Sequence, residues 1–267
     1  YYLSLIEKGD AGLSPLEEAR WLERVDRVRE NILAAHAWSL RAPDACERSY
    51  RLVFAMRHHW FARGQLELGH RLSLDTVANG PHEPAGAGRG RALWVAGQIS
   101  ALTARYAEAQ PLLEESLKIA RSQRDRAMEA RVLNVLALSL MGQGDSAGAA
   151  EQCERTLEIA REMGDERRIA MASNALAQIR RLEGDLARAE ALYLDALALS
   201  RKLGNREMEC IVLLNLAMVA VSRGDDASAV DPLRQVVVFV EETKSPQTMQ
   251  SLFEVDAGLA ASRGKWE

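Results

Sequence analysis

Apolar residues recur along the chain with the spacing of one helix face. Leu133, Leu136, Ala137 and Leu140 step by three and four residues, as do Ala189, Leu192, Tyr193, Ala196 and Leu197. A stripe with that step lies along one side of an α-helix and faces a core. Alternation with a period of two is nowhere sustained. The best strand candidate, Val236-Val237-Val238, sits inside a helical pattern that starts near Ala227. The pattern predicts an all-α chain.

The helical segments are punctuated at a fixed interval. Gly144, Gly164, Gly184, Gly204 and Gly224 fall 20 residues apart; four are followed by Asp and Gly204 by Asn205. Glycine takes the left-handed conformation that ends a helix. Asp or Asn after it accepts hydrogen bonds from the free N–H groups of the next helix, worth about 1 kcal/mol each. Each pair therefore predicts one helix stopping and another starting.

Two helices make the unit, so the true period is 40. Ala109, Ala149, Ala189 and Ala229 coincide at that spacing, as do Gly97, Ala137, Ala177 and Ala217, and Leu117, Leu157, Leu197 and Val237. Small residues in the first two columns let paired helices approach closely, and larger ones would overpack by about 1–3 kcal/mol. A fixed period of this size predicts a solenoid of stacked hairpins, since helices of ~15 residues are marginal alone.

The small-residue columns, with the runs Gly144-Asp145-Ser146-Ala147-Gly148-Ala149 and Gly184-Asp185-Leu186-Ala187-Arg188-Ala189, resemble tetratricopeptide repeats. The standard repeat is ~34 residues and this one is longer. Long repeats of this kind resemble the C-terminal sensor region of MalT-like and LuxR-type bacterial signal-transduction ATPases that regulate transcription. Trp21-Leu22-Glu23-Arg24, then Glu30-Asn31-Ile32-Leu33-Ala34-Ala35 and Trp38, are similar to the segment that precedes the repeats in that group. The stretch from Tyr50-Arg51-Leu52 to Phe61-Ala62-Arg63-Gly64 resembles its degenerate first helix pair. That pair departs from the pattern, with Arg57 in one small-residue column and Gly69 in the other. The resemblance implies a right-handed α-α superhelical solenoid of tetratricopeptide-like hairpins.

The expected organisation is a helical lead-in with the degenerate pair over residues 1–80, a loop over 81–90, and regular repeats over 91–267. Ser14-Pro15-Leu16-Glu17 is a capping sequence that opens a helix running to about Leu40. Helices follow over about Asp44–Ala62 and Leu66–Ala78, and a last one over about Gln247–Ser262. Breaks are expected near Ala104, Arg124 and Lys244 as well as at the glycines. The chain opens Tyr1-Tyr2 without Met, and it ends three residues after the stop signal at Gly264. It therefore reads as a segment of a longer chain, truncated in its last repeat.

Composition removes several function classes. Lys and Arg number 34 against 38 Asp and Glu, a net charge of −4, which argues against direct nucleic-acid binding. No apolar run approaches the ~20 residues of a membrane span. Cys46, Cys153 and Cys210 are few and odd in number, which fits a reducing, cytoplasmic setting. Cys153 and Cys210 lie at apolar-facing helix positions and read as buried small hydrophobes rather than nucleophiles.

Other candidate chemistry is weak. Gly86-Ala87-Gly88-Arg89-Gly90 has no strand before it and no Gly-Lys-Ser/Thr after it, so it reads as linker rather than phosphate loop. Adjacent His58 and His59 point about 100° apart on a helix, and with His70 they lack metal-ligand spacing; His36 and His82 read as ordinary. No Ser/His/Asp motif is present. The chain reads as non-catalytic, with no cofactor and no metal.

The remaining candidate is the inner face of the array, lined by the first helix of each pair in tetratricopeptide repeats. Transferred column by column, that face holds Arg91, Trp94 and Gln98; then Arg131, Asn134, Leu138 and Met141; then Met171, Asn174, Gln178 and Arg181; then Ile211, Leu214 and Met218. Asn134 and Asn174 fall in one column, and an amide both donates to and accepts from a peptide backbone. The competing reading is that Asn here fixes helix packing. The resulting expectation is a module of a larger regulator that binds a protein, a peptide or a small effector. The alternative is a scaffold that self-associates or assembles partners without an effector.

Overall fold

The computed structural model describes residues 1–10, 15–41, 46–80 and 86–243, with residues 252, 253, 255 and 257 beyond them. Among these residues the chain is helical, with no strand. It divides into two compact units, Tyr1–Asp145 and Ser146–Glu267.

The first unit contains α1 (Tyr2–Ile6), a 3₁₀ turn (Glu7–Asp10), α2 (Pro15–Arg27), α3 (Arg29–Arg41), α4 (Cys46–Ala62), α5 (Leu66–Asn79), α6 (Ala87–Leu102), α7 (Tyr106–Ser122) and α8 (Arg126–Gly142). The second contains α9 (Ser146–Met163), α10 (Glu166–Leu182), α11 (Leu186–Lys202), α12 (Arg206–Ser222) and α13 (Asp226–Thr243). In the first unit α4/α5 and α6/α7 are antiparallel hairpins; α6 packs on α4, and α8 packs on α6. In the second, α10/α11 and α12/α13 are hairpins, and α9 packs on α10. The all-α hairpin architecture is the one the periodicity predicts.

The turns follow the predicted chemistry. At Gly184 φ is +85°, and the next N–H, of Asp185, bonds the Arg180 carbonyl at 2.9 Å, closing the end of α10. The Asp185 carboxylate then accepts the Arg188 N–H at 3.1 Å and opens α11. Asp125, Asp165 and Asn205 cap α8, α10 and α12 in the same way. Two turns make the same bend without glycine: Ala104 has φ +59° and Arg124 φ +55°.

The small columns sit where paired helices touch. Ala109, Ala149, Ala189 and Ala229 are fully buried, as are Ala177 and Ala217. At Gly97 even a methyl group is too much, since a Cβ would lie 2.7 Å from both Cδ2 and Cγ of Leu113.

Three expectations change. The helix expected from Pro15 to Leu40 is two helices, split at Val28, whose N–H bonds the Val25 carbonyl only three residues back. The expected loop over 81–90 is helical from Ala87 onward. Its glycines are packing residues: a Cβ on Gly88 would lie 2.5 Å from Glu47 Oε2, and one on Gly90 3.0 Å from Ile119 Cγ2. Arg89 between them is buried and donates to Glu115 and to the Val77 carbonyl, both at 2.8 Å. Third, the lead-in and the first regular pair fall in one compact unit, which ends at Asp145 rather than at residue 80.

Long-range polar bonds tie that lead-in down. Trp21 Nε1 donates to the Leu5 carbonyl at 3.1 Å, and His59 bonds Asp26 at 2.7 Å. His36 donates from Nε2 to the Thr76 hydroxyl at 2.7 Å, while that hydroxyl donates to the Leu72 carbonyl. The Ser14 cap, His82, the turn near Lys244 and Gly264 lie outside the described residues. So does the helix expected over Gln247–Ser262, except at Leu252, Phe253, Val255 and Ala257, which are helical. Val255 is buried in the core of the second unit.

Candidate binding face on the first helices

In the first unit, α4, α6 and α8 are the first helices. Stacked first helices offer one side to a neighbour on each flank and leave a third side open. Arg91 and Leu138 are exposed on them, and Gln98, Arg131, Asn134 and Met141 are half-buried. Trp94 departs from the expectation: it is only 5% exposed. Its ring lies 5.9 Å from that of Phe54 on α4, and its Nε1 donates to the Arg131 carbonyl at 3.3 Å.

Three arginines surround this ring pair, one from each first helix. The Arg57 guanidinium lies 3.9 Å from the centre of the Phe54 ring and 5.9 Å from that of Trp94. Arg91 lies 5.3 Å from Phe54, and Arg131 lies 5.9 Å from Trp94. Rings attract such cations through their negative faces. Arg57 also donates to the Phe54 carbonyl and, at 3.0 Å, to Nε2 of His58. Gln98 follows Trp94 by one helical turn; its Oε1 is buried with no hydrogen-bond partner among the described residues.

In the second unit the first helices are α10 and α12. Met171 and Ile211 are exposed, and Asn174, Gln178, Arg181 and Met218 are half-buried. Leu214 is the correction here. It is 6% exposed and belongs to the core. Its neighbour Asn215 takes the expected place and donates from Nδ2 to Asn174 Oδ1 at 2.9 Å. The matching position on α12 is thus 41 residues on rather than 40. Arg181 lies beside the buried Tyr193 hydroxyl; burial pushes that hydroxyl above its ordinary pKa, and the arginine opposes the shift.

Sequence reasoning missed Phe54, Arg57, His58 and Asn215. Asn215 carried a signal, as the lone polar residue in Ile211–Val221. The other three lie one period before Trp94, Gly97 and Gln98, in a pair treated as degenerate.

The remaining candidates take structural partners. His59 bonds Asp26, and His70 bonds the Ser100 hydroxyl at 2.8 Å while Nδ1 accepts from Arg105 at 3.0 Å. No group of three His, Cys, Asp or Glu side chains converges as a metal site among the described residues. Burial pushes the Cys153 thiol up to about 12 and that of Cys210 up to about 11, the reverse of what a nucleophile needs. A cavity of about 200 Å³ between α12 and α13, lined by Arg206, Cys210, Leu213 and Phe239, includes none of the expected face residues. No described helix is long and apolar enough to cross a membrane.

Comparison with known proteins defines the class. Residues 130–163 and 168–237 match tetratricopeptide-repeat family models, so the chain carries tetratricopeptide repeats. Solved structures share the fold at low identity. BtubC from P. vanneervenii has a TM-score of 0.67 at 16% identity, over 84% of this chain and 93% of that one. NprR in complex with its cognate peptide NprX has a TM-score of 0.70 at 13% identity, over 99% of this chain and 72% of that one. A Rap protein complexed with competence and sporulation factor has a TM-score of 0.72 at 12% identity, over 88% of this chain and 62% of that one. The search of curated proteins returns no match.

Proposed function

We propose that the open face of α10 and α12 in the second unit binds an extended peptide or protein segment, and that the chain is the non-catalytic sensing part of a larger cytoplasmic signal-transduction or transcriptional regulator. The observation that carries the reading is the amide pair of the second unit. With one Asn215 N–H spent on Asn174 Oδ1, Asn174 keeps its N–H donors and Asn215 its carbonyl acceptor. The pair therefore presents a donor and an acceptor side by side, the complement of a peptide group. Exposed Met171 and Ile211 flank it with adaptable apolar surface. Two structural neighbours, NprR and the Rap protein, are described with a bound peptide or factor, which supports the same use of the fold. The regulator context is supported by the lead-in and repeat motifs that resemble the MalT-like and LuxR-type group.

The test is selection of binders from a random twelve-residue peptide library on the purified chain. Enriched peptides are expected to lose about tenfold in affinity, ~1.4 kcal/mol, to the double variant Asn174→Ala, Asn215→Ala. No enrichment, or unchanged affinity for a folded double variant, sinks the binding reading. Sequencing the reading frame on both sides tests the context: ATPase and DNA-binding segments in frame support it, and stop codons on both sides overturn it.

A further inference from the structure

We infer that the cavity between α12 and α13 is a binding site for a small, uncharged aromatic molecule of a single ring. None of the residues of the expected peptide face lines it, and the inference does not rest on peptide binding. It gives the chain a small-molecule input of its own.

The first argument is that this hairpin leaves open a place that another hairpin closes. Arg89, Gly90, Glu115 and Ile119 of α6/α7 stand in the same columns as Glu209, Cys210, Gln235 and Phe239 of α12/α13. In α6/α7 the Arg89 guanidinium crosses to Glu115 at 2.8 Å, and a Cβ on Gly90 would lie 3.0 Å from Ile119 Cγ2. In α12/α13 the two polar side chains are taken by Arg201 of α11. Its Nε donates to Glu209 and its Nη2 to Gln235, each at 2.8 Å. They are thus held toward α11 and do not span the hairpin. Arg206 is engaged by Glu242 at 3.0 Å. A cavity of about 200 Å³ remains between the two helices.

The second argument is the match of volume and wall. Cys210 and Leu213 are buried and form the floor, while Val238 and Phe239 form the sides. An apolar cavity of ~150 Å³ takes up benzene, and pockets for drug-sized ligands begin at roughly 300 Å³. The space therefore holds one ring and little more. The Phe239 ring favours an aromatic occupant through offset or edge-on contact, and the Cys210 sulfur adds a polarizable wall. Burial pushes that thiol up to about 11, so it stays protonated and brings no charge to the floor.

The third argument is the charge at the rim, where Arg206, Glu209 and Gln235 stand. Arg206 pairs with Glu242, and Glu209 with Arg201. A cationic ligand would have to sit against Arg206 and an anionic one against Glu209. An ion without a counter-charge in an apolar cavity is strongly disfavoured, and an uncharged ring incurs neither penalty. The Arg206 guanidinium lies 6.0 Å from the centre of the Phe239 ring, so a cation already stands where a second ring would receive it. The Gln235 amide uses one N–H on the Asp231 carbonyl at 3.4 Å and keeps another for a hydroxyl oxygen on the ligand.

Phenol is the probe, added to the whole chain with methyl labels on Leu and Val and followed by NMR. The expected result is saturable binding that moves the Leu213 and Val238 methyl signals and leaves those of Leu138, in the other unit, in place. Cyclohexanol, of similar size without the π-system, is expected to bind about tenfold more weakly, and benzoate and benzylammonium at least as weakly. Val238 is 46% exposed, so Val238→Trp fills the cavity from its open side and should abolish binding in a chain that a melting curve shows to be folded. The methyl shifts of the wild-type chain decide the matter if that variant does not fold. Absence of saturable binding, binding that leaves Leu213 and Val238 unmoved, or wild-type affinity in a folded Val238→Trp chain overturns the site. Equal affinity for cyclohexanol overturns the aromatic assignment, and equal or tighter binding of benzoate or benzylammonium overturns the uncharged one. The peptide library is a separate experiment, so the two readings fail independently.

Discussion

Substitution of Gly97 by Ala sets two effects of known size against each other. In a helix interior Ala is favoured over Gly by about 0.8–1.0 kcal/mol. At this site the new Cβ would lie 2.7 Å from two carbons of Leu113 and 3.4 Å from the Ala109 carbonyl. Carbon atoms rest comfortably at roughly 3.5–4.0 Å. Leu113 is fully buried between α6 and α7 and has no free side to move toward. Overpacking of that kind costs about 1–3 kcal/mol, and two contacts inside 3.0 Å place this case in the upper half. The net expectation is destabilisation by about 1–2 kcal/mol, a fall in Tm of roughly 2–8 °C for a unit of this size. The decisive measurement is a double-mutant cycle by thermal or denaturant unfolding. Leu113→Ala alone destabilises by about 2–5 kcal/mol because it leaves a void. In that background the clash is gone, so Gly97→Ala is expected to stabilise by about 1 kcal/mol, its propensity gain. The sign of one substitution thus reverses with its neighbour. An equal effect of Gly97→Ala in both backgrounds would refute the close approach of α6 and α7 at this point.

Other expectations are simpler. Arg124→Gly relieves a left-handed conformation at φ +55° and should raise stability by about 0.5–1 kcal/mol in a melting experiment, whereas Gly184→Ala should lower it by about 1 kcal/mol. Native protein treated with iodoacetamide at pH 8 should leave Cys153 and Cys210 unlabelled by mass spectrometry and label both once unfolded; native-state labelling at the rate of a free thiol would contradict their burial. His36 and His70 are both held neutral in the fold. Burial lowers the pKa of His36 against the opposing charge of Asp75; burial and then Arg105 lower that of His70 against Glu108 and Glu67. Protonating His70 Nδ1 would also set it against the Arg105 N–H that it accepts. The unfolded chain therefore binds more protons than the folded one below about pH 6.5, so stability is full above that pH and falls toward pH 5.5. The denaturant midpoint should drop over this interval and drop less in His36→Gln; a flat midpoint counts against neutral burial.

What the chain made legible depended on the range of each interaction. Gly184-Asp185 could be read directly because the bonds that end α10 and open α11 lie within a few residues of the pair. The small columns could be read because the repeat writes the same contact several times. Gly88 and Gly90 read as linker in the sequence because what forbids a side chain there is Glu47 in one case and Ile119 in the other, neither of them local. The column count sets Trp94 on an open surface because its cover, Phe54, lies in a pair where the pattern is weak. On the binding face a slip of one residue between α10 and α12 exchanged Leu214 for Asn215, since a column count carries no knowledge of how far a helix has turned. The buried Arg57 shows in the sequence only as an irregularity in a small-residue column; Phe54 and Trp94, the rings it packs against, stand one period apart, but nothing local tells that the two side chains meet.

The turns between helices also bear on inheritance. Each Gly-Asp or Gly-Asn junction finishes one helix and begins the next with bonds made inside the junction itself. A crossover that removes residues 165–204, a span of 40, would join Gly164 to Asn205 and restore a complete junction at the scar. A loss of 20, such as 165–184, also restores a junction but leaves one helix without its hairpin partner, and a loss that is not a multiple of 20 leaves a helix without its stop or its cap. Such a gene can shorten or lengthen in whole hairpins while each surviving piece keeps its local instructions. Lineages carrying this segment are therefore expected to vary by hairpin number more readily than by scattered insertions.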